Sequence, residues 1–162
     1  MATTTKGSAH LTLPADNQIQ VTREFNAPRH LVYRAYTEPD LVRRWWHAGH
    51  GQMTECEIDL RVGGHYRFAM IASSGGFEVA FHGEYHEIVP DQRIVATEVY
   101  EGAPDYPART TVTFDEADGG TLVTLLMEHT SKESRDATIA SGMESGLQVA
   151  LDLLEELATE LA

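Results

Sequence analysis

SGMESGLQVALDLLEELATEL, residues 141–161, is the stretch whose reading decides the fold. At 3.6 residues per turn Ser145, Gln148, Asp152, Glu155, Glu156 and Thr159 share one side. Met143, Leu147, Ala150, Leu151, Leu154, Leu157, Ala158 and Leu161 share the other, the 3-and-4 spacing of an amphipathic helix. Ser141 followed by Glu144 predicts a capping box at its start. About 20 residues at ~1.5 Å rise make a rod of roughly 30 Å, the width of a small domain. Such a helix needs a surface on which to bury its apolar face.

The rest of the chain supplies that surface as strands. Ile19, Val21, Arg23 and Phe25 alternate with polar neighbours, a period of two. Asn26-Ala27-Pro28 stops this strand and opens a short helix with Leu31, Val32, Ala35 and Tyr36 on one stripe. A second short helix begins at Thr37-Glu38-Pro39 and ends in Arg43-Arg44-Trp45-Trp46, and residues 47–52 read as loop. Then comes a meander. Cys56, Ile58 and Leu60 alternate, then Tyr66, Phe68 and Met70, then Val79 and Phe81, in a strand running to Val89. Residues 94–100 form another strand, residues 101–107 a polar loop, and Thr110, Val112 and Phe114 meet Val123, Leu125 and Met127 across Asp118-Gly119-Gly120.

A turn at Ser74-Gly75 would place Met70 opposite Val79, Phe68 opposite Phe81 and Tyr66 opposite Gly83. The other side would then pair His65 with Glu84 and Arg67 with His82. Thr130 with Glu133 predicts a first helix cap before the long terminal helix. The order predicts an α+β layer architecture: a curved antiparallel sheet of about six or seven strands, two short helices after the first strand, and the terminal helix packed on the sheet. Residues 1–15 read as a loose N-terminal segment and residues 16–162 as one domain.

A net charge of −13, from 12 basic against 25 acidic residues, repels nucleic acid and anionic lipid at long range. No apolar run approaches a membrane span, and the N-terminus lacks a signal-peptide pattern. One cysteine, Cys56, leaves no internal disulfide and fits a cytoplasmic protein. A homodimer and a protein partner are both compatible with the sequence.

Phe25-Asn26-Ala27-Pro28, Tyr33-Arg34-Ala35-Tyr36-Thr37-Glu38-Pro39, Arg44-Trp45-Trp46, Gly63-Gly64, Gly83 and Glu87-Ile88-Val89-Pro90 resemble the START-like (SRPBCC, helix-grip) superfamily. Ser141-Gly142-Met143-Glu144-Ser145-Gly146 resembles the start of the terminal helix in its bacterial branch similar to the activator of Hsp90 ATPase. The resemblance implies a sheet gripping the helix, with a cavity between them. It implies functions ranging from lipid carriage to polyketide cyclisation and co-chaperone activity. That branch commonly has an aromatic residue where this chain has Leu147.

Gly142, Gly146 and Ala150 recur every four residues and leave one strip of the helix nearly bare. Glycine within a helix costs ~1 kcal/mol against alanine, so the strip serves either close helix–sheet approach or a ligand cavity. The expected cavity wall is Trp46, Phe68, Met70, Val79, Phe81, Val112, Leu125, Met143, Gly146, Leu147 and Ala150. At least one of Trp45 and Trp46 is expected to anchor the second helix to the sheet, and the other to sit at the cavity mouth. Eight histidines show no HExxH or other ligand spacing, His47 with His50 included, and no metal or cofactor is expected.

Gly142-Met143-Glu144-Ser145-Gly146 sets its serine one place late for a nucleophile elbow. The leading expectation is binding of a small, largely hydrophobic molecule, without covalent chemistry. The alternatives are a polyketide cyclase or dehydratase-like enzyme, using Tyr66, Thr97, Thr111, Tyr85 or His82, and a chaperone-interaction or stress-response module.

Overall fold

The computed structural model describes residues 8–162. Its strands are β1 (His10–Thr12), β2 (Gln18–Phe25), β3 (Gly51–Ile58), β4 (His65–Ala72), β5 (Glu78–Val89), β6 (Arg93–Tyr100), β7 (Ala108–Ala117) and β8 (Gly120–Glu128). Its helices are α1 (Arg29–Thr37), α2 (Pro39–Val42), α3 (Lys132–Ala140) and α4 (Met143–Glu160). The strands form one antiparallel sheet in the order β1-β2-β8-β7-β6-β5-β4-β3. This is the expected α+β helix-grip architecture, with eight strands instead of six or seven.

The additional strand is β1, inside the segment expected to be loose. Three residues are too few to show a period, and tertiary contacts hold them in place. His10, Leu11 and Thr12 pair with Thr22, Val21 and Gln20. Just before them Ala9 is clasped by a helix side chain: its N–H donates to Gln148 Oε1 at 3.0 Å, and Gln148 Nε2 donates back to its carbonyl at 2.7 Å. Residues 1–7 of the segment expected to be loose lie outside the described residues.

Alternation sorts each strand into two faces. On β2 the buried set is Ile19, Val21, Arg23 and Phe25. The β4–β5 hairpin has the expected register, Met70 with Val79, Phe68 with Phe81, Tyr66 with Gly83, and on the other face Arg67 with His82 and His65 with Glu84. Across β7–β8, Thr110, Val112 and Phe114 meet Met127, Leu125 and Val123 as expected. Register shifts at Met53/Glu55 and Tyr85/Glu87 are bulges of the kind that bend a sheet. Beyond Ile58 the expected alternation ends, and Leu60 lies outside β3, partly exposed.

Both helix caps differ from expectation. Ser131, not Thr130, caps α3, accepting a hydrogen bond from Ser134 N at 3.0 Å. No side chain caps α4. Only two residues separate the helices, so Ser141 finishes α3, its hydroxyl donating to the Thr138 carbonyl at 2.6 Å. Gly142 then reverses the chain at φ 84°, a left-handed conformation that glycine adopts without steric cost. Gly142 is therefore a hinge between helices and not part of a bare helical strip.

The core is densest where α1 and the second half of α4 meet β2, β7 and β8. Phe25, Val32, Phe114 and Leu154 are fully buried there. Tyr33 and Tyr36 present their rings edge-on to Phe114 at 5.4 and 5.6 Å. Arg23 is buried and bound to α4, with Asp152 at 2.7 Å and Glu155 at 3.2 Å. The polar side of the helix is thus not wholly solvated. No helix of the described residues is long and apolar enough to cross a membrane.

Candidate functional site

The first half of α4 stands off the sheet. A Cβ built on Gly146 meets a single neighbouring atom, His50 Nε2, at 3.9 Å. Close helix–sheet approach is therefore not the use of this glycine. The space beside it is part of a cavity of about 1010 Å³ between sheet and helix.

All eleven expected wall residues line this cavity. Phe68 and Met70 come from β4, Val79 and Phe81 from β5, Val112 from β7 and Leu125 from β8. Met143, Gly146, Leu147 and Ala150 close it from α4. The two tryptophans divide their labour. Trp45 is buried and donates from Nε1 to the Ala35 carbonyl at 2.9 Å, so its hydrogen bond pins the turn after α2 to α1 and not to the sheet as expected. Trp46 turns to the cavity, with its ring 5.5 Å from Phe68 and 5.7 Å from Phe81. Tyr66 extends the aromatic wall at 5.1 Å from Phe68, and Tyr100 at 5.1 Å from Phe81.

Period two separates the polar residues suggested for catalysis. Tyr66 and Tyr85 line the cavity; Thr97, Thr111 and His82 do not. His82 instead holds Glu101 at 2.9 Å. Arg67 lies in the same cluster, bonded to Glu55, Glu78 and Glu101. Hydrogen bonds from Arg67 and then His82 pull the Glu101 carboxyl down to about 2. Cys56 is buried beneath α2, and desolvation pushes its thiol up to about 11, far from the reactive range.

Sequence reading missed several polar cavity residues, Arg23, Thr110 and Glu133 among them, and two bear most on the site's chemistry. Glu98 on β6 lines the cavity, and no ion pair or hydrogen bond reaches its carboxyl among the described residues. Desolvation raises its pKa above the usual carboxylate range. Tyr66 and Tyr36 also titrate above the normal phenol range, through burial first and the Glu98 charge second. The signal was present: Glu98 keeps phase with Ile94 and Ala96, which are buried cavity residues of the same strand.

The second residue is His129, just past β8. It is buried, lines the cavity, and its Nε2 has no hydrogen-bond partner. Burial, followed by the Arg135 charge, lowers its pKa and favours the neutral ring. Pairing of Glu98 with Ala108, and of Arg109 with Glu128, sets Ala108 between Glu98 and His129. A small residue thus separates two polar ones on the cavity floor.

One glycine lets the floor approach the tyrosine. A Cβ on Gly83 would overlap the Thr97 carbonyl and press on the Tyr66 ring. Its absence lets Tyr66 donate to that carbonyl at 2.9 Å. His47 and His50 are both at the cavity edge, and among the described residues no group of three or more His, Cys, Asp or Glu is arranged to hold a metal ion.

The family model described as Activator of Hsp90 ATPase homolog 1-like protein matches residues 26–159. A solved protein from Chromobacterium violaceum is 30% identical at a TM-score of 0.78, covering 89% of this chain and 98% of its own. One from Rhodobacter sphaeroides shares the fold at a TM-score of 0.86, with 24% identity over 94% of this chain and 99% of its own. One from Nitrosomonas europaea does so at 0.81, with 24% identity over 91% and 97%. No match is found among curated proteins. The shared fold is compatible with ligand binding in general.

Proposed function

The chain belongs to the Activator of Hsp90 ATPase homolog 1-like family, and from that premise we propose that it binds a small, largely apolar molecule between its sheet and α4. The observation that carries this reading is the open space beside Gly146. Helix and sheet normally close-pack, and a void forfeits contact energy along its lining. An aromatic and aliphatic wall around a few polar groups is what apolar ligand sites are made of.

Gly146→Leu tests the proposal directly. The residue has ordinary helical geometry and free space ahead of it, so the leucine projects into the cavity beside α4 without disturbing the backbone. The neutral dye Nile red is expected to bind the wild type and to lose at least about tenfold in affinity in the variant, the loss of ~1.4 kcal/mol or more. Unchanged dye affinity in a variant that melts normally overturns the proposal.

The open interior favours this reading over chaperone docking, which needs an outer surface and no void. A cyclase or dehydratase-like activity is the second reading, favoured by Glu98 and His129 on the cavity floor. A carboxyl with a raised pKa is suited to proton transfer near neutral pH. Turnover of a polyketide-like substrate that is lost in Glu98→Gln would favour it; turnover unaffected by Glu98→Gln and by His129→Ala would remove both residues from any chemistry.

A further inference from the structure

We propose that the cavity selects a molecule with a basic nitrogen on an apolar body, and that Glu98 is the carboxylate that receives the ammonium. The inference rests on the cavity being a binding site and adds the chemical class of its occupant.

The first argument is position. Glu98 continues the inward row of Ile94 and Ala96, and its partner on β7 is Ala108, which leaves room above the carboxyl's neighbour. The second is the absence of an internal partner. Among the described residues no cation or donor bonds the Glu98 carboxyl. Arg23, the one guanidinium among the cavity-lining residues described, is committed to Asp152 and Glu155. Tyr66 gives its proton to the Thr97 carbonyl.

Glu98 is half-buried, and a carboxylate partly withdrawn from water with no partner of its own favours taking up a proton or a cation. The third argument is what surrounds it. Tyr36, Tyr66 and Tyr85 face this part of the cavity, with Phe68, Phe81 and Trp46 beyond them. Aromatic faces stabilise an ammonium through their quadrupoles, and a carboxylate within an aromatic enclosure supplies the acceptor that its N–H groups need. A metal ion would require several oxygen or nitrogen ligands, and no such group occurs among the described residues. The net charge of −13 draws cations toward the molecule and repels anions.

The test compares 1-naphthylmethylamine with its neutral counterpart 1-naphthalenemethanol by calorimetric titration of the full chain at neutral pH. The two share a ring and differ in charge. In the wild type the amine is expected to bind at least about tenfold tighter, the scale of a hydrogen bond to a charged group. Glu98→Gln should bring the two within about twofold while keeping alcohol affinity. Glu101→Gln, which removes a carboxylate outside the cavity, should leave the preference intact.

Equal binding of amine and alcohol by the wild type overturns the proposal and leaves the cavity reading standing. A preference retained in Glu98→Gln overturns it too, because the amine is then drawn by net charge alone. Binding of neither probe overturns the amine proposal together with the cavity reading.

Discussion

The two halves of α4 do opposite jobs with similar residues. From Leu154 onward the apolar face is sealed: Leu154 and Ala158 are fully buried and Leu157 nearly so, against α1 and the sheet. Before Ala150, Met143 and Leu147 are only partly covered and Gly146 faces open space. Hydrophobic periodicity runs unbroken through both halves. A helix held rigidly at one end can therefore stand off a sheet at the other, with its stability and its site on different turns. The sealed half also carries the Arg23 bridge, where Glu155 accepts in addition from the Asn26 N–H at 2.9 Å, fixing the helix to the β2–α1 corner.

That division is broken most visibly by paired truncations. Leu154→Ala removes a fully buried side chain and should cost about 2–5 kcal/mol, as cavity-forming leucine truncations do. Leu147→Ala enlarges a space that already exists and should cost about 1 kcal/mol or less. Urea unfolding of both variants measures the difference. Equal costs would mean that the first half of α4 is packed as tightly as the second.

The contrast between the halves also explains what was legible in the sequence. The β4–β5 register was readable because the turn position and the alternation of Tyr66, Phe68 and Met70 allow one pairing that keeps apolar residues together. That Trp46 faces the cavity was readable from its place just after α2, whereas the anchoring of Trp45 to α1 was not, because the Ala35 carbonyl it binds is fixed only by how the two short helices meet. β1 was not readable, because three residues carry no period and are placed by pairing with β2 and by Gln148, from the far end of the chain, holding Ala9 just before them. The cap at Ser141 was misread because its spacing to Glu144 is local, whereas the short α3–α4 junction that claims Ser141 is not.

Glu98 is the instructive omission. Its phase on β6 was visible, yet an inward carboxylate has meaning only once the helix above is known to leave space. The distance between layers is set by residues far apart in sequence, and no local pattern records it.

A second comparison sharpens the first, since the hollow half should forfeit stability where the sealed half gains it. The folded pKa of Glu98 is raised above its unfolded value of 4.5 by desolvation. The folded state therefore holds the proton more tightly. Its contribution is intact below 4.5 and is lost as pH rises through the folded pKa. Glu98→Gln should accordingly melt higher than the wild type at neutral pH, and the advantage should vanish as pH falls below the unfolded value. Thermal melts across that range decide it. A variant that melts lower at neutral pH would show Glu98 to be a structural residue with a partner in the fold, and not an unpaired group held for a ligand.

The smallest expected effect is the most pointed. Gly146→Ala adds one methyl group to the middle of the hollow half. The backbone is helical, and the new carbon would have a single neighbour at 3.9 Å, an ordinary van der Waals distance. Relief of the glycine's conformational entropy should then dominate and stabilise the protein by about 0.5–1 kcal/mol. The same change in a packed helix–sheet contact would force backbone shifts and destabilise by more than that gain. The sign of the shift in the urea midpoint thus reports whether helix and sheet touch at this turn. Nile red should still bind, because a methyl group occupies little of a cavity of about 1010 Å³. Stabilisation with retained dye binding in the alanine variant, beside lost binding in the leucine variant, would identify Gly146 as a residue that keeps volume free at the expense of helix stability.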